Sequence, residues 1–244
     1  MRPPAIAILT YHSLDDSGSV ISIAPDLFRR QMEALAASQV KVVPLDAIFE
    51  HPGAVAITFD DGFANVAEYA APVLERLALP ATVFVVSGYC GKRNNWATQP
   101  AGIPQLPLMD WAMLRGLPPL FSFGAHTVNH PDLSALSEPD MEREVKDSRE
   151  EIAERTGRAV MSFAYPYGSI NAAAAALVRR EFSVGCGTRL DFARTDSDRA
   201  AIPRLDTFYL KSTGWFRQPF GPAYRAYIGL RRWMREVRRN GYTR

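Results

Sequence analysis

Short apolar runs that alternate with helical patterns most restrict how this chain of 244 residues can fold. Seven of these runs are predicted to be strands, at residues 5–9, 40–43, 54–59, 81–86, 120–123, 160–164 and 182–184. Most of them are apolar throughout, which is typical of parallel strands buried on both faces. Strands that alternate with helices over about 200 residues favour a parallel α/β barrel or a doubly wound sheet.

Helix signals lie between the predicted strands. Residues 25–38 carry apolar side chains on one helical face. Ser137 opens a capping-box pattern, and Asn171 can cap the alanine-rich segment that follows it. Residues 87–108 are rich in Gly, Pro and Asn and predict a long irregular loop, which in a compact domain is usually functional.

Composition gives no support to several classes of function. A net charge of +2 gives no reason to expect a nucleic-acid partner. Cys90 and Cys186 lack metal-type spacing and indicate neither a disulfide framework nor a cysteine-based zinc site. The first apolar run is too short for a signal peptide or a membrane span, so a cytoplasmic location is expected.

Two neighbouring carboxylates follow the third predicted strand. Burial and mutual repulsion both raise the pKa of Asp60 and Asp61, so a bound cation is the simplest compensation. His126 and His130, two of only four histidines, follow another strand. Both motifs would meet at the C-terminal mouth of a barrel, which favours that fold. One aspartate and two histidines can hold a divalent metal with one position open, and the second aspartate is left for chemistry.

Three motifs resemble those of the polysaccharide deacetylases, the NodB-homology family of carbohydrate esterases. They are TFDDG at residues 58–62, HTVNH at 126–130 and FAYPYG at 163–168, in the family's order. The resemblance covers roughly residues 5–207. It implies a distorted (β/α)7 barrel and the metal-dependent removal of N-acetyl groups from an N-acetylated glycan, with release of acetate.

The resemblance also implies roles for single residues. Asp60 would be the general base, and Asp61, His126 and His130 would hold the metal, most simply Zn2+, with Co2+, Mn2+ or Ni2+ as alternatives. A metal of this kind makes water nucleophilic at neutral pH, and the base takes its proton. The backbone N–H of Tyr167 would stabilise the oxyanion.

The general acid departs from the usual family pattern, which places a histidine near the C-terminus. No histidine follows His130 in this sequence. His12 follows the first strand, and we assign it as the general acid by elimination and by resemblance. The arrangement resembles the circularly permuted branch of the family, which includes deacetylases of poly-β-1,6-N-acetylglucosamine.

A second departure concerns the partner of the base. Many family members carry an arginine where this chain has Ala164. Arg204 is one candidate to restrain the pKa of Asp60, and Asp206 could orient His12. Equally, Arg204 and Asp206 could form a plain surface ion pair.

The long loop is expected to contact the substrate. Trp96, Asn95 and Tyr165 are the candidate sugar-binding residues, because aromatic faces stack on sugars and amides bond hydroxyls. Trp96 could instead only pin the loop to the core.

The C-terminal end changes in composition. We divide the chain into a catalytic domain at 1–215 and a basic tail at 216–244. Residues 222–244 hold seven arginines and one acid, Glu236, a local charge of +6, with apolar residues at helical spacing. Such a helix can lie on an anionic membrane, making the protein peripheral to the inner membrane, or pack on the barrel with a solvated arginine face.

Two rival functions stay open. The motifs fix the chemistry more firmly than the substrate, so an amidohydrolase acting on non-sugar C–N bonds is one alternative. A glycan-binding module with little turnover is the other. A monomer is expected.

Overall fold

The computed structural model describes the backbone of residues 5–241 and the side chains through residue 237, and a closed parallel sheet lies at its centre. The strands are β1 (Ala5–Tyr11), β2 (Val55–Phe59), β3 (Ala81–Val85), β4 (Phe121–Ala125), β5 (Val160–Ala164), β6 (Val184–Leu190), β7 (Ala193–Arg194) and β8 (Ile202–Asp206). The sheet runs β1-β2-β3-β4-β5-β6-β8, and the pairing of β8 with β1 closes it. Seven parallel strands therefore form a barrel, and β7 pairs antiparallel with β1.

Helices surround the barrel. They are α1 (Pro25–Ala37), α2 (Ala71–Arg76), α3 (Trp111–Gly116), α4 (Glu138–Thr156), α5 (Ala172–Glu181), α6 (Gly214–Arg217) and α7 (Pro222–Gly241). Shorter helical turns lie at Leu45–Glu50, Val66–Ala70, Ser87–Tyr89, Leu133–Ala135, Pro166–Gly168 and Thr207–Tyr209. The alternation of strands and helices confirms the predicted distorted (β/α)7 barrel.

Two apolar clusters divide the core. Ile6 and Ile8 of β1 belong to one cluster, whereas Ala7 and Leu9 belong to the other, because side chains alternate across a strand. The first cluster fills the barrel interior, and the second lies between the strands and the helices. The turn Leu45–Glu50 adds the buried side chains of Leu45 and Ile48 to the interior cluster.

The predicted helix starts are confirmed. The Ser137 hydroxyl accepts a hydrogen bond from the Asp140 N–H at 3.4 Å, and α4 follows it. The Asn171 side chain accepts one from the Ala174 N–H at 2.8 Å and caps α5. These caps satisfy backbone donors that a helix end leaves free.

Two strand predictions are wrong. Residues 40–43 form no strand, and only Val42 makes an isolated bridge, to Val55, before Pro44 ends the extended segment. The run at 182–184 marks only the start of β6, which continues to Leu190. The prediction also missed β8, whose polar residues face the barrel mouth.

The C-terminal segment is the long helix α7. Its Tyr224 and Ile228 are buried in the core between strands and helices. Residues 242–244 of the predicted tail lie outside the described residues, and α6 crosses the predicted boundary at 215, which stays a prediction. Among the described residues, no helix combines the length and apolarity needed to cross a bilayer.

Candidate active site

The carboxyl ends of the barrel strands bring the predicted site residues to one mouth. Asp60 directly follows β2, His126 directly follows β4, and His12 directly follows β1. Asp206 is the last residue of β8, which pairs with β1. Parallel strands place all of these ends on the same face of the barrel, where loops assemble functional sites.

Three of these residues form a buried donor set for a metal. Asp61 Oδ1 lies 3.4 Å from His126 Nε2 and 3.4 Å from His130 Nε2. The two imidazole nitrogens are 3.2 Å apart. Tetrahedral ligand atoms about 2.0–2.1 Å from a zinc ion lie about 3.3 Å from one another, so the three atoms fit such an ion. The structure thus brings together the predicted metal triad.

Hydrogen bonding prepares His126 as a ligand. Its Nδ1 lies 2.7 Å from the carbonyl oxygen of Ala164, which can only accept, so Nδ1 carries the proton. The Nε2 lone pair therefore points to the donor set, the arrangement usual for metal-bound histidines. Burial would raise the pKa of Asp61, but the adjacent His126 and His130 imidazoles outweigh burial and hold that pKa far below its ordinary value.

His130 is fixed by its backbone and by ring packing. Its N–H donates to the Thr127 hydroxyl at 2.9 Å, and its carbonyl accepts from the Thr98 hydroxyl at 2.8 Å. The Trp96 ring stacks on the imidazole with centroids 4.1 Å apart. His130 Nδ1 has no hydrogen-bond partner among the described residues, so packing rather than bonding orients this ring.

The ligand loops hold strained backbone conformations. Asp61, Thr127, His130 and Tyr167 all have positive φ, between 56° and 70°. Outside glycine this region is sparsely populated, and it persists where the surroundings enforce it, often at functional sites. Four of the six described non-glycine residues with positive φ therefore lie around this donor set.

Glu144 of α4 holds the turn between the two histidines, and no sequence motif marks this residue. Its carboxylate accepts from the N–H groups of Val128 and Asn129, both at 2.9 Å. It also accepts from the Asn129 side chain at 2.7 Å. One carboxylate thus satisfies three donors of the turn that carries His126 and His130.

Asp60 makes a two-pronged ion pair with Arg204. Both contacts, Nη1 to Oδ1 and Nη2 to Oδ2, are 2.7 Å long. Arg204 Nε also donates to the Gly187 carbonyl at 3.0 Å, and the guanidinium lies 5.6 Å from the Phe84 ring centroid. The exposed fractions of Arg204 and Asp60 are 2% and 4%. Burial would raise the pKa of Asp60, but the charge and hydrogen bonds of Arg204 outweigh it and hold that pKa below its ordinary value.

The Asp60–Arg204 pair shows which cation replaces the arginine that many family members carry at the position of Ala164. The Ala164 side chain is buried in the interior cluster, and β8 rather than β5 supplies the cation. The alternative of a surface pair between Arg204 and Asp206 is wrong, because Arg204 is buried. Burial raises the pKa of Asp206, whose side chain accepts from the Phe208 N–H at 3.0 Å.

His12 stands beside Asp60 at the edge of the mouth. Its Nε2 is 3.8 Å from Asp60 Oδ2, and its side chain is 27% exposed. Together with Thr188, Asp206 and other residues it lines a cleft at this end of the barrel. Within residues 5–241 no hydrogen bond joins His12 to Asp206, so the orienting role of Asp206 stays a prediction.

The long loop packs onto the site through Trp96. Its Nε1–H donates to the Tyr167 hydroxyl at 3.1 Å, and that hydroxyl lies 2.9 Å from the Thr98 carbonyl. The exposed fraction of Trp96 is 3%. These contacts support the alternative in which Trp96 pins the loop.

The other two candidate sugar contacts differ in exposure. Asn95 is exposed, whereas Tyr165 is buried and its hydroxyl donates to the Ala200 carbonyl at 2.7 Å. A direct sugar contact by the rings of Trp96 or Tyr165 stays a prediction that this conformation does not support.

Comparison with known proteins gives the same picture. The family profile described as polysaccharide deacetylase matches residues 50–181, more than half of the chain. YxkH of Bacillus subtilis (strain 168), provisionally named as a polysaccharide deacetylase, is 24% identical over 213 residues, covering 84% of this chain and 72% of YxkH. The poly-β-1,6-N-acetyl-D-glucosamine N-deacetylase of Staphylococcus aureus (strain MSSA476) is 22% identical over 206 residues, covering 78% of this chain and 66% of the relative.

Solved structures share the fold. IcaB from Ammonifex degensii superposes with a TM-score of 0.74 at 22% identity, covering 88% of this chain and 98% of IcaB. The deacetylase PplD of Streptococcus pyogenes, solved in complex with acetate, gives a TM-score of 0.72 at 22% identity, covering 84% and 92% of the two chains.

Proposed function

The chain belongs to the polysaccharide deacetylase family, and on this premise we propose that it is a metal-dependent hydrolase that removes N-acetyl groups from sugar units of a polysaccharide or glycan precursor. Water attacks the acetyl carbonyl, the C–N bond breaks, and the products are acetate and the free amine. The observation that carries the proposal is a buried Asp-His-His donor set directly beside an ionised aspartate held by Arg204.

Asp61, His126 and His130 would hold the metal. Their three ligand atoms are mutually 3.2–3.4 Å apart, which suits a small divalent ion, with Zn2+ proposed first and Co2+, Mn2+ or Ni2+ as alternatives. Such an ion supplies Lewis acidity, which polarises a carbonyl and makes water nucleophilic at neutral pH.

Asp60 is proposed as the general base. Arg204 keeps its pKa low, so the carboxylate is ionised at neutral pH and able to accept a proton from the attacking water. The two-pronged contact also fixes the plane of the carboxylate. Arg204 is thus a positioning residue in this proposal, because it acts through Asp60.

His12 is proposed as the general acid. Its ring is 3.8 Å from Asp60 and partly exposed, so it borders the base and also reaches the open cleft. There it can donate a proton to the departing amine nitrogen, which a poor leaving group requires.

Tyr167 is proposed to contribute its backbone N–H to the oxyanion that forms on the acetyl carbonyl. The residue sits in a turn with φ of 59°, and its hydroxyl contacts Trp96 and Thr98 of the long loop. A preorganised donor of this kind stabilises developing charge without reorganisation.

The site geometry supports deacetylation in general, and the comparison with a named relative suggests one glycan as the substrate. A relative named as a poly-β-1,6-N-acetyl-D-glucosamine N-deacetylase makes β-1,6-linked N-acetylglucosamine the first candidate glycan. The acetate complex of PplD agrees with an acetyl-releasing activity on this fold. A monomeric state and a cytoplasmic location complete the proposal.

Acetate release tests this function. Purified protein loaded with Zn2+, Co2+, Mn2+ or Ni2+ is incubated with β-1,6- and β-1,4-linked N-acetylglucosamine oligomers, and acetate is quantified. We expect release by the wild type and by Asp16→Asn, an exposed control. Asp60→Asn should retain its metal and lose release by about 10²-fold or more.

Two results would favour the rivals. Turnover of simple amides with no release from any glycan would indicate an amidohydrolase with a non-sugar substrate. Glycan binding without turnover in any metal form would indicate a binding module.

A further inference from the structure

We propose that α7 docks the protein on an anionic phospholipid bilayer. The docking surface consists of Leu230, Trp233 and Val237, here called the apolar strip, on a helix of basic sequence. The basic C-terminal sequence was compatible with a membrane-bound helix or with a helix packed on the barrel. The geometry of α7 supports the first interpretation.

The first half of α7 is anchored to the barrel. Tyr224 and Ile228 are buried, and the Tyr227 hydroxyl donates to the Tyr209 carbonyl at 2.7 Å. The Trp215 ring stacks on Tyr224 and Tyr227 at 5.3 and 5.0 Å. The helix is therefore presented in a fixed orientation.

The apolar strip faces solvent. The exposed fractions of Leu230, Trp233 and Val237 are 54%, 60% and 51%. Spacings of three and four residues place them on one face of the helix. Clustered exposed apolar side chains on one face mark an interaction site more often than isolated ones do.

Three arginines that are interleaved with the strip in the sequence contact the barrel rather than forming a solvated face. Arg231 Nε donates to the Tyr227 hydroxyl at 3.0 Å, and Arg232 pairs with Asp191. The Arg235 guanidinium lies 5.7 Å from the Tyr209 ring centroid. These three side chains are half-buried, whereas the strip is exposed, so the helix shows its apolar residues outward and holds these arginines against the barrel.

Exposed apolar side chains on a basic helix fit a bilayer surface better than they fit a sugar chain or a second copy of this protein. Residues 222–241 contain six arginines and one glutamate, a net charge of +5, which complements anionic headgroups. Leu230 and Val237 offer no hydrogen bonds to sugar hydroxyls, whereas they can enter the boundary between headgroups and acyl chains. Pairing of this face with a second copy would bring two +5 helices together.

Docking would place the barrel mouth near the membrane. Arg235 contacts Tyr209, which lies in the turn that follows β8 at the mouth. Resting on the proposed function, this geometry would direct the deacetylase to glycans held at a membrane surface.

Vesicle binding by the 244-residue chain tests the proposal without reference to catalysis. Sedimentation is measured with phosphatidylcholine vesicles and with vesicles that contain phosphatidylglycerol as well. The strip variant changes all three residues to glutamine, which keeps helix propensity. A matched control changes three exposed apolar residues elsewhere, Val20, Tyr69 and Met161, to glutamine. Circular dichroism and thermal melting establish that both variants are folded.

We expect wild type and control to bind the anionic vesicles and the strip variant to bind about tenfold or more weakly. Binding should fall in 1 M NaCl, where charges are screened within about 3 Å. Absence of binding to anionic vesicles, or equal binding by the strip variant, would overturn the proposal. A dimer that the strip variant abolishes, seen without vesicle binding, would overturn it in favour of a homodimer interface. None of these results bears on acetate release, so the two proposals fail separately.

Discussion

Replacement of Arg204 by methionine tests the electrostatic core of the site. Methionine fills a similar volume but leaves the buried carboxylate of Asp60 without either of its 2.7 Å contacts. Removal of one partner from a buried pair costs about 3–5 kcal/mol in the free energy of unfolding. An exposed pair would cost about 0–1 kcal/mol. The 2% and 4% exposure of the two residues places this pair in the first class.

The effect should depend on pH. In the wild type the folded pKa of Asp60 is below its ordinary value, so its stabilising contribution is present above pH of about 4 and is lost as pH falls through the folded pKa. In the variant, burial is opposed only by the weaker effect of His12 and His126, so that pKa should rise. Protonation then relieves the buried charge, so the stability difference between the two proteins should shrink as pH falls from 8 towards 4.5.

Urea unfolding in the presence of EDTA measures this difference at several pH values. Arg158→Met is the control. The Arg158 guanidinium donates to the carbonyls of Phe121 and Leu117, at 2.7 and 2.8 Å, and lies over the Phe123 ring. Among the described residues it pairs with no carboxylate, so its loss should show little pH dependence. The double variant Asp60→Asn, Arg204→Met should recover part of the loss. A difference below about 1 kcal/mol at pH 7 would refute the reasoning, as would the same difference at pH 4.5 and pH 8.

Three further substitutions separate the roles around the mouth. Glu144→Gln should weaken zinc affinity about 10–100-fold in calorimetry, since it loosens the turn that carries the ligands, and unchanged affinity would show that the turn holds without the charge. His12→Gln should lower kcat about 10²–10⁴-fold with metal content unaltered, and full activity would place the general acid elsewhere. Tyr167→Phe should lower kcat by less than about tenfold, because the proposed donor is the backbone N–H, whereas a larger loss with metal retained would assign the chemistry to the hydroxyl.

The sequence predicted correctly those features of the fold that depend only on neighbouring residues. Capping by Ser137 and Asn171 needs only neighbouring residues, and both caps are present. Residues 40–43 are apolar enough for a strand, but the chain turns at Pro44 before it can pair along its length. Strand β8 was missed because its interior side carries Arg204 and Asp206, which no apolar pattern reveals.

The site residues also divide into those that a local motif predicts and those that only the folded barrel brings together. The metal triad could be predicted because each of its residues lies in a short motif that follows a strand. The pairing of Arg204 with Asp60 joins residues 144 apart and depends on closure of the barrel, so the sequence could offer it only as one of two alternatives. Glu144 reaches the histidine turn from α4, and nothing in its neighbourhood marks it.

Titration of metal-free protein with zinc, with acetate release followed from N-acetylglucosamine oligomers, tests the central claim most directly. The proposed account predicts no release without metal and a rise to a plateau at one zinc per chain, since one Asp-His-His donor set is present among the described residues. The His130→Ala variant should stay inactive over the same range. Release that is independent of zinc, or that His130→Ala retains, would contradict the account.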